Sequence, residues 1–298
     1  MADDAPHQRA SVGPPHEPVM GAEVVELLGD RGTVLDMTVG AGGHAAELLE
    51  AGVDRVIGVD RDEQALGLAA ERLARFGDRF RPVHRRFSQV GEAEAMGPLH
   101  GVLFDLGVSS MQLDDPERGF GYRVEGPLDM RMGQSGPTAA DLVNELPESE
   151  LADLLFQLGE ERRSRRIARA IARERERAPI TSTDQLTGIV VGAVGRRPGG
   201  PHPARRTFQA LRIAVNRELE ELAASLPRAV GLLGPGGRVV VLSYHSLEDR
   251  IVKRAFRDDD RLRILTKKPL RPSPEETARN PRSRSAKLRA AERVAEAA

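Results

Sequence analysis

The chain has 298 residues, enough for one large domain or two smaller ones, and its 44 Lys and Arg nearly balance its 45 Asp and Glu. It has no cysteine, which excludes disulfides, thiolate metal sites and a cysteine nucleophile. The seven histidines are scattered singly, and no apolar run approaches the roughly 20 residues that cross a bilayer. We therefore expect a soluble, cytoplasmic protein without a bound metal or a membrane partner.

The two halves of the chain differ strongly in charge. Residues 1–150 carry 13 Lys and Arg against 27 Asp and Glu, whereas the remaining 148 residues carry 31 against 18. An acidic half suits a small cationic ligand, and a basic half suits a polyanion. The halves are expected to bind different partners.

The first chemical signal is a glycine turn within residues 33–44, where an apolar run ends at Asp36 and breaks into glycines. Glycine lets a ligand approach the backbone, and the following helix offers free N–H groups. Gly40, Gly42 and Ala45 fit the G-x-G-x-x-A fingerprint of dinucleotide sites, with Asp60 near the position of a ribose-binding acid. Asp36 favours a cofactor with a methionine-like group instead, because an acid ending the first strand can bind the charged amino end of such a group, which dinucleotides lack. A tight turn without a ligand is the remaining alternative.

Apolar strands alternate with amphipathic helices along the first part of the chain. Beyond the run that ends at Asp36, strands are predicted at 55–60, 80–87 and 101–105, and another at 238–243. This rhythm predicts an α/β fold with a mostly parallel, doubly wound sheet that binds ligands at the carboxyl ends of its strands. Asp36, Asp60 and Asp105 should all arrive at that edge.

A long block without strand signals separates residue 107 from the last predicted strand. A Gly-, Pro- and Asp-rich loop occupies 108–137, and helical signals follow over 139–194, with Ser149 as one expected cap. Thr207 is expected to open one long amphipathic helix, and the tract from Pro269 to form a hairpin or be partly disordered. The predicted division is a disordered leader (1–15), the first part of the core (16–110), an inserted helical domain (111–206) and the second part of the core (207–298).

Several longer motifs resemble one family. They are His16-Glu17-Pro18-Val19, Gly42-Gly43-His44, Asp60-Arg61-Asp62, residues 105–114 (DLGVSSMQLD), 126–132 (GPLDMRM), 202–210 (HPARRTFQA) and 243–250 (SYHSLEDR). Together they make the chain similar to the bacterial ribosomal RNA small subunit methyltransferase H family. Two positions depart from the family pattern: Arg85 and Arg86 form a basic pair before Phe87, and Met111 stands where proline is common.

The resemblance implies a Rossmann-like class I methyltransferase with an inserted helical domain. It implies S-adenosylmethionine as cofactor and methyl transfer to N4 of a decoding-centre (P-site) cytidine in 16S rRNA, within the small ribosomal subunit, with no DNA partner. The cofactor contacts that it implies are Gly42, Gly43, His44, Asp60, Phe87, Asp105 and Gln112, to which the glycine-turn argument adds Asp36 and Gly40.

Each of these residues also has an alternative role. Asp60 suits the ribose hydroxyls but could oppose a helix dipole, a role better suited to Asp62. Phe87 could lie on adenine or belong to the core, and His44 could meet the cofactor, cap a helix or face solvent. Asp105 could hold the target amino group, the adenine or both.

Arginines of the second half form the candidate RNA surface. The strongest candidates are Arg162, Arg163, Arg165, Arg166, Arg205 and Arg206, accompanied by Arg169, Arg173, Arg196 and Arg197. Interleaved glutamates leave open a merely solvated helix. Asp114, Asp115 and Asp129 could shape a base pocket or simply form turns, and His245 and Ser246 follow a strand near the site.

Two other functions remain possible from the residues alone. The glycine turn could serve a nicotinamide oxidoreductase, and the basic half could belong to an RNA-binding module without catalysis. The first would require tight NAD binding without S-adenosylmethionine binding.

Overall fold

The computed structural model describes residues 17–30, 32–133 and 135–295, and the predicted leader lies outside them. One seven-stranded sheet organises the described chain, in the order β3-β2-β1-β4-β5-β7-β6. Strands β1 to β5 are parallel, and β7 runs antiparallel between β5 and β6. The strands are β1 (Thr33–Asp36), β2 (Arg55–Asp60), β3 (Phe80–His84), β4 (Leu99–Asp105), β5 (Leu233–Ser243), β6 (Leu262–Ile264) and β7 (Lys287–Arg293).

Helices cover both faces of this sheet because successive side chains of a buried strand point to opposite sides. Val34 packs with one group of helices and Leu35 with the other. The first group comprises α1 (Gly21–Leu28), α2 (Gly43–Ala51) and α3 (Glu63–Leu73); the second comprises α4 (Glu92–Ala95), α11 (Glu218–Leu232) and α12 (Ser246–Asp258). The predicted doubly wound, mostly parallel sheet is confirmed.

A separate hydrophobic cluster forms the helical insertion between β4 and β5. It follows the short helix α5 (Ser110–Asp114) and is built from α6 (Ala139–Glu145), α7 (Glu148–Gly159), α8 (Ser164–Arg175), α9 (Thr183–Val194) and α10 (Arg205–Asn216). As predicted, Ile167 and Ile171 are buried on α8. The N-cap of α7 is Pro147, so the prediction that Ser149 caps this helix is wrong.

The single helix expected from Thr207 is two helices. Arg217 has φ 51°, a left-handed conformation that ends α10 and begins α11. Phe208 and Leu211 of α10 pack in the insertion cluster, whereas Leu222 of α11 packs against the sheet. We therefore propose that the insertion ends at this break and not at residue 206.

The C-terminal tract adds structure that the sequence analysis left open. Helix α13 (Pro274–Arg279) follows β6, and β7 then enters the sheet beside β5, where Val240 pairs with Ala290. Strand β3 ends at His84, three residues before its predicted end, and Phe87 begins a 3₁₀ turn. The bond from Arg85 N–H to the Asp60 carbonyl lies at this end of the pairing between β2 and β3. Among the described residues, no helix combines the length and apolarity needed to cross a membrane.

Candidate functional site

The carboxyl ends of three adjacent strands bring the predicted acids to one edge of the sheet. Asp36 ends β1, Asp60 ends β2 and Asp105 ends β4. Strand β1 lies between the other two, since Asp36 pairs in register with Gly58 on one side and Leu103 on the other. In a doubly wound sheet, this is the edge at which ligands bind.

The glycine turn between β1 and α2 leaves room for a ligand at Gly40. Gly40 has φ 51°, and a Cβ placed there would meet only the Thr38 carbonyl oxygen, at 3.9 Å. Gly42, with φ 77°, instead packs its Cα against Leu73, and Gly43 lies against Pro18. The first N–H groups of α2 follow directly, and such groups have no partner within their own helix. The turn thus fits a ligand with acceptor groups.

Asp60, at the end of β2, connects the glycine turn to this strand through hydrogen bonds. Its Oδ2 accepts from Gly40 N–H at 3.0 Å, and its Oδ1 accepts from Asp62 N–H at 2.9 Å. A carboxylate has about four acceptor positions, so capacity remains for two hydroxyls. The N-cap of α3 is Asp62, whose side chain accepts from Gln64 N–H. The role at the helix N-terminus, which was the alternative for Asp60, therefore belongs to Asp62, as the sequence analysis suggested.

Asp36 and His44 place unpaired polar atoms beneath the turn. Within the described residues, Asp36 Oδ2 and both ring nitrogens of His44 are buried without a well-formed hydrogen bond, although His44 Nε2 lies 3.4 Å from Asp105 Oδ2. Burial raises the pKa of Asp36 to about 7. Burial alone would lower the pKa of His44, but the neighbouring carboxylates of Asp105 and Asp36 raise it instead. Buried groups left without partners are costly, which fits a site completed by a polar cofactor. His44 is 6% exposed, so the solvent-facing alternative is wrong.

Asp105 is held from three sides. Its backbone N–H donates to Thr38 Oγ1 at 2.7 Å, the Tyr244 hydroxyl donates to its Oδ1 at 2.7 Å, and His44 Nε2 lies 3.4 Å from its Oδ2. Burial and the Asp105 carboxylate raise the pKa of Tyr244 well above its ordinary value, so the phenol stays a donor. The Asp105 side chain remains 27% exposed.

Sequence reasoning missed Thr38 and Tyr244 as partners of Asp105. A signal for Tyr244 was present, because it follows the end of the predicted strand that pairs with β4. Thr38 lies two residues beyond Asp36, and its hydroxyl accepts from the Asp105 N–H, which explains why a polar side chain suits that position.

Two other predicted cofactor residues have protein partners. The Phe87 ring packs edge-on against Phe104, with centroids 5.9 Å apart, and is partly buried. Gln112 belongs to the capping box of α5, and its Nε2 donates to Asp62 Oδ2 at 2.9 Å, where Arg118 also binds. Their contact with the cofactor stays a prediction.

The predicted RNA-binding arginines lie on the helical insertion, whereas the three acids lie at the ends of strands of the sheet. All six are exposed, and four of them flank or begin α8: Arg162, Arg163, Arg165 and Arg166. Arg205 and Arg206 begin α10, where the Arg206 guanidinium donates to the Glu160 carbonyl at 2.9 Å.

The remaining acidic candidates have structural partners. Asp114 binds Arg282 at 2.6 Å, Asp115 caps a 3₁₀ turn, and Asp129 binds Arg131 through both carboxylate oxygens. Asp115 and Asp129 thus have turn-forming roles.

A group unforeseen in the sequence brings together Glu218, His245 and Glu248, with ligand atoms within 4.8 Å of one another. The two carboxylates of this group already have partners within the protein. Arg212 binds both oxygens of Glu218 at 2.8 Å, and His245 Nε2 lies 3.1 Å from Glu248. His245 is also the N-cap of α12, a structural role.

Comparison with known proteins agrees with this architecture. The profile of the MraW methylase family matches residues 13–294. A "Ribosomal RNA small subunit methyltransferase H" from Sorangium cellulosum is 53% identical over 289 residues, covering 95% of this chain and 92% of the relative. Proteins of the same name from Bradyrhizobium diazoefficiens and Azorhizobium caulinodans are 47% and 50% identical; each alignment covers 94% of this chain, and 92% and 87% of the relatives.

These relationships favour methyl transfer over the nicotinamide alternative. The mostly parallel, doubly wound sheet is the one expected of the Rossmann-like class I methyltransferase fold that the resemblance implied. Methylases of this kind take their methyl group from S-adenosylmethionine, which the sequence analysis predicted as cofactor. From its matched residues and its close relatives, we conclude that the chain belongs to the MraW methylase family.

Proposed function

We propose that the chain is a cytoplasmic enzyme that methylates N4 of a decoding-centre (P-site) cytidine in 16S rRNA, within the small ribosomal subunit. The observation that carries the proposal is Asp105, a partly exposed carboxylate fixed at the ligand-binding edge by Thr38 and Tyr244. The names of the close relatives support ribosomal RNA as the substrate class.

The cofactor would be held along the edge formed by the first two strands. Asp60 would accept the ribose hydroxyls, Asp36 would face the amino group, and Phe87 would lie near the adenine. The backbone of the glycine turn and the side chains of His44, Asp105 and Gln112 would complete the contacts; the turn residues are Gly40, Gly42 and Gly43. When bound, S-adenosylmethionine supplies a methyl group activated by its sulfonium.

The role of Asp105 follows from the chemistry of the target. The N4 amino group of cytosine is a weak nucleophile because its lone pair is delocalised into the ring. The Tyr244 hydroxyl donates to Asp105 Oδ1, and Oδ2 lies 3.4 Å from His44 Nε2. Because each carboxylate oxygen can accept more than one hydrogen bond, Oδ2 would also accept an N–H of that amino group and orient the nitrogen. Positioning and fixed electrostatics of this kind can supply much of a rate enhancement.

The exocyclic nitrogen is also favoured by composition. Methylation of cytosine at C5 uses a cysteine that adds covalently to the ring, and this chain has none. A base whose amino group must reach a sheet edge has to leave its stack, so we propose a flipped or splayed cytosine as the bound form.

The test is to incubate the protein with small subunits that lack the methyl group and with labelled S-adenosylmethionine, and then to map the modified nucleotide. We expect label on N4 of one cytidine, and no incorporation into subunits that already carry the methyl group. Label at another atom or base, or NAD binding in place of S-adenosylmethionine, would contradict the proposal.

A further inference from the structure

A cleft of about 690 Å³ lies in the helical insertion, apart from the sheet edge that carries the three acids. One wall is the loop at Tyr122–Val124, a second is α9 at Asp184 and Thr187, and the third is the segment 196–203. Of the side chains given a role so far, Arg196 and Arg197 of the candidate RNA surface line this cleft. Its lining combines aromatic rings with several guanidinium groups.

The aromatic part of the cleft is a preformed pair of rings. Tyr122 and His202 stack with centroids 4.8 Å apart and an interplanar angle of 21°. Tyr122 is fixed from behind by Phe208, a core residue whose ring meets it edge-on at 5.8 Å. The Thr187 hydroxyl donates to the Tyr122 carbonyl at 3.4 Å, which ties the loop to α9. The rings therefore form a fixed platform.

Positive charge surrounds this platform. Arg123, Arg196 and Arg197 line the cleft and are exposed, against one lining acid, Asp184. The Arg196 guanidinium lies 2.7 Å from His202 Nε2, and that of Arg123 lies 5.8 Å from the centre of the Tyr122 ring. Burial, followed by the charges of Arg196 and Arg123, lowers the pKa of His202, so its ring stays neutral. Charge in the cleft thus resides on the arginines.

The cleft adjoins the arginine surface of α8. Arg163 Nη1 donates to the Val194 carbonyl at 2.6 Å, at the end of α9 and two residues before Arg196. An RNA strand bound along the arginines of α8 could therefore continue past Arg163 to the arginines of the cleft.

We propose that this cleft binds one nucleotide of a single-stranded RNA segment, with its phosphate on the arginines and its base stacked on the His202–Tyr122 pair. The inference rests on the proposed RNA substrate and adds a subsite to it. Stacking on aromatic rings beside basic side chains is a general way in which proteins hold unpaired nucleotides. The cleft would anchor the strand while the target base occupies the sheet edge.

The contribution of the cleft arginines to RNA binding is tested with the triple variant R123Q/R196Q/R197Q. Its matched control is K267Q/K268Q/R271Q, which removes the same charge from exposed residues between β6 and α13. Fluorescence anisotropy with a labelled single-stranded RNA is measured over a salt series. Only the cleft variant should weaken binding, with its salt slope reduced by about 0.7 for each phosphate that the protein no longer neutralises. Calorimetry should show unchanged S-adenosylmethionine binding in both.

The platform is tested with His202→Ala, which should weaken RNA binding roughly fivefold or more, as expected when one base is no longer stacked. His202→Phe keeps a ring and should bind like the wild type. An RNA carrying a photoreactive thiouridine should crosslink to peptides that contain Tyr122 or His202.

The outcomes separate this subsite from the proposed function. If the wild type methylates small subunits but the cleft variants bind RNA as the controls do, or if crosslinks fall elsewhere, the subsite is refuted and the function stands. A wild type that neither binds the RNA nor methylates subunits refutes both. Label on another nucleotide together with crosslinks in the cleft corrects the function and supports the subsite.

Discussion

At Asp36, the burial of a carboxylate bears directly on the proposed contact with the cofactor. It is 1% exposed, and its Oδ2 has no hydrogen-bond partner within the described chain. Burial disfavours the carboxylate, which raises the pKa of Asp36 from 3.8 to about 7. In the protein without ligand, this group therefore stabilises the fold fully below about pH 4, and that contribution is lost as the pH rises through 7. A bound ammonium group would reverse the preference, because it stabilises the carboxylate.

The pH dependence of S-adenosylmethionine binding tests this role. Below the raised pKa, Asp36 must lose a proton before it can pair with the amino group. Affinity should therefore rise by up to about tenfold per pH unit from about pH 5 and level off above about pH 7. Asp36→Asn should bind at least about tenfold more weakly at neutral pH and lack this rise. Calorimetry at several pH values measures both, and an identical pH profile in the variant would refute the contact.

In the turn from β1 to α2, Gly42 is the glycine with both a left-handed φ and a close neighbour. Gly42 has φ 77°, and a Cβ there would lie 3.0 Å from Leu73 Cδ1. Gly42→Ala should lower the free energy of unfolding by about 1–3 kcal/mol through backbone strain and overpacking. Gly67 is the control, because it is exposed within α3 and a Cβ there meets nothing within 4 Å. Gly67→Ala should stabilise by about 0.5–1 kcal/mol. Urea unfolding measures both, and equal effects would contradict the account.

Strands β1, β2, β4 and β5 were predictable because each contains an apolar run that ends at an acid or a turn, the pattern of strands buried on both faces. The break at Arg217 was not, because its surroundings come from distant parts of the chain. Asn216, beside the break, donates to the Met130 carbonyl at 2.7 Å. Tyr244 likewise reaches Asp105 across 139 positions of sequence. Local patterns predict elements and strand ends, but not the long-range hydrogen bonds that complete a site.

In the molecule as a whole, hydrogen bonds connect the helical insertion to the sheet edge at which Asp36, Asp60 and Asp105 lie. Arg61 follows Asp60 and donates to the Asn216 carbonyl at 3.2 Å, while Met132 N–H donates to Asn216 Oδ1 at 2.9 Å. On the other side, Arg250 of α12 binds Glu160 at 3.4 Å. An RNA held by the insertion would thus be held in a fixed relation to the three acids. On the proposed function, the charge asymmetry would then divide the two tasks: the acidic half would bind the cofactor and the basic half the substrate.

Reversing two arginines of α8 tests that division. Arg165 and Arg166 are exposed and lie outside the cofactor edge, so R165E/R166E should leave S-adenosylmethionine affinity unchanged. RNA binding should weaken, and its salt dependence should fall by about 0.7 to 0.9 in slope for each phosphate left without a cationic partner. K267E/K268E makes the same change of charge on exposed residues between β6 and α13, and should bind RNA like the wild type. Equal RNA binding by both variants would remove α8 from the RNA surface, whereas weakened cofactor binding in R165E/R166E would show that the two halves do not act separately.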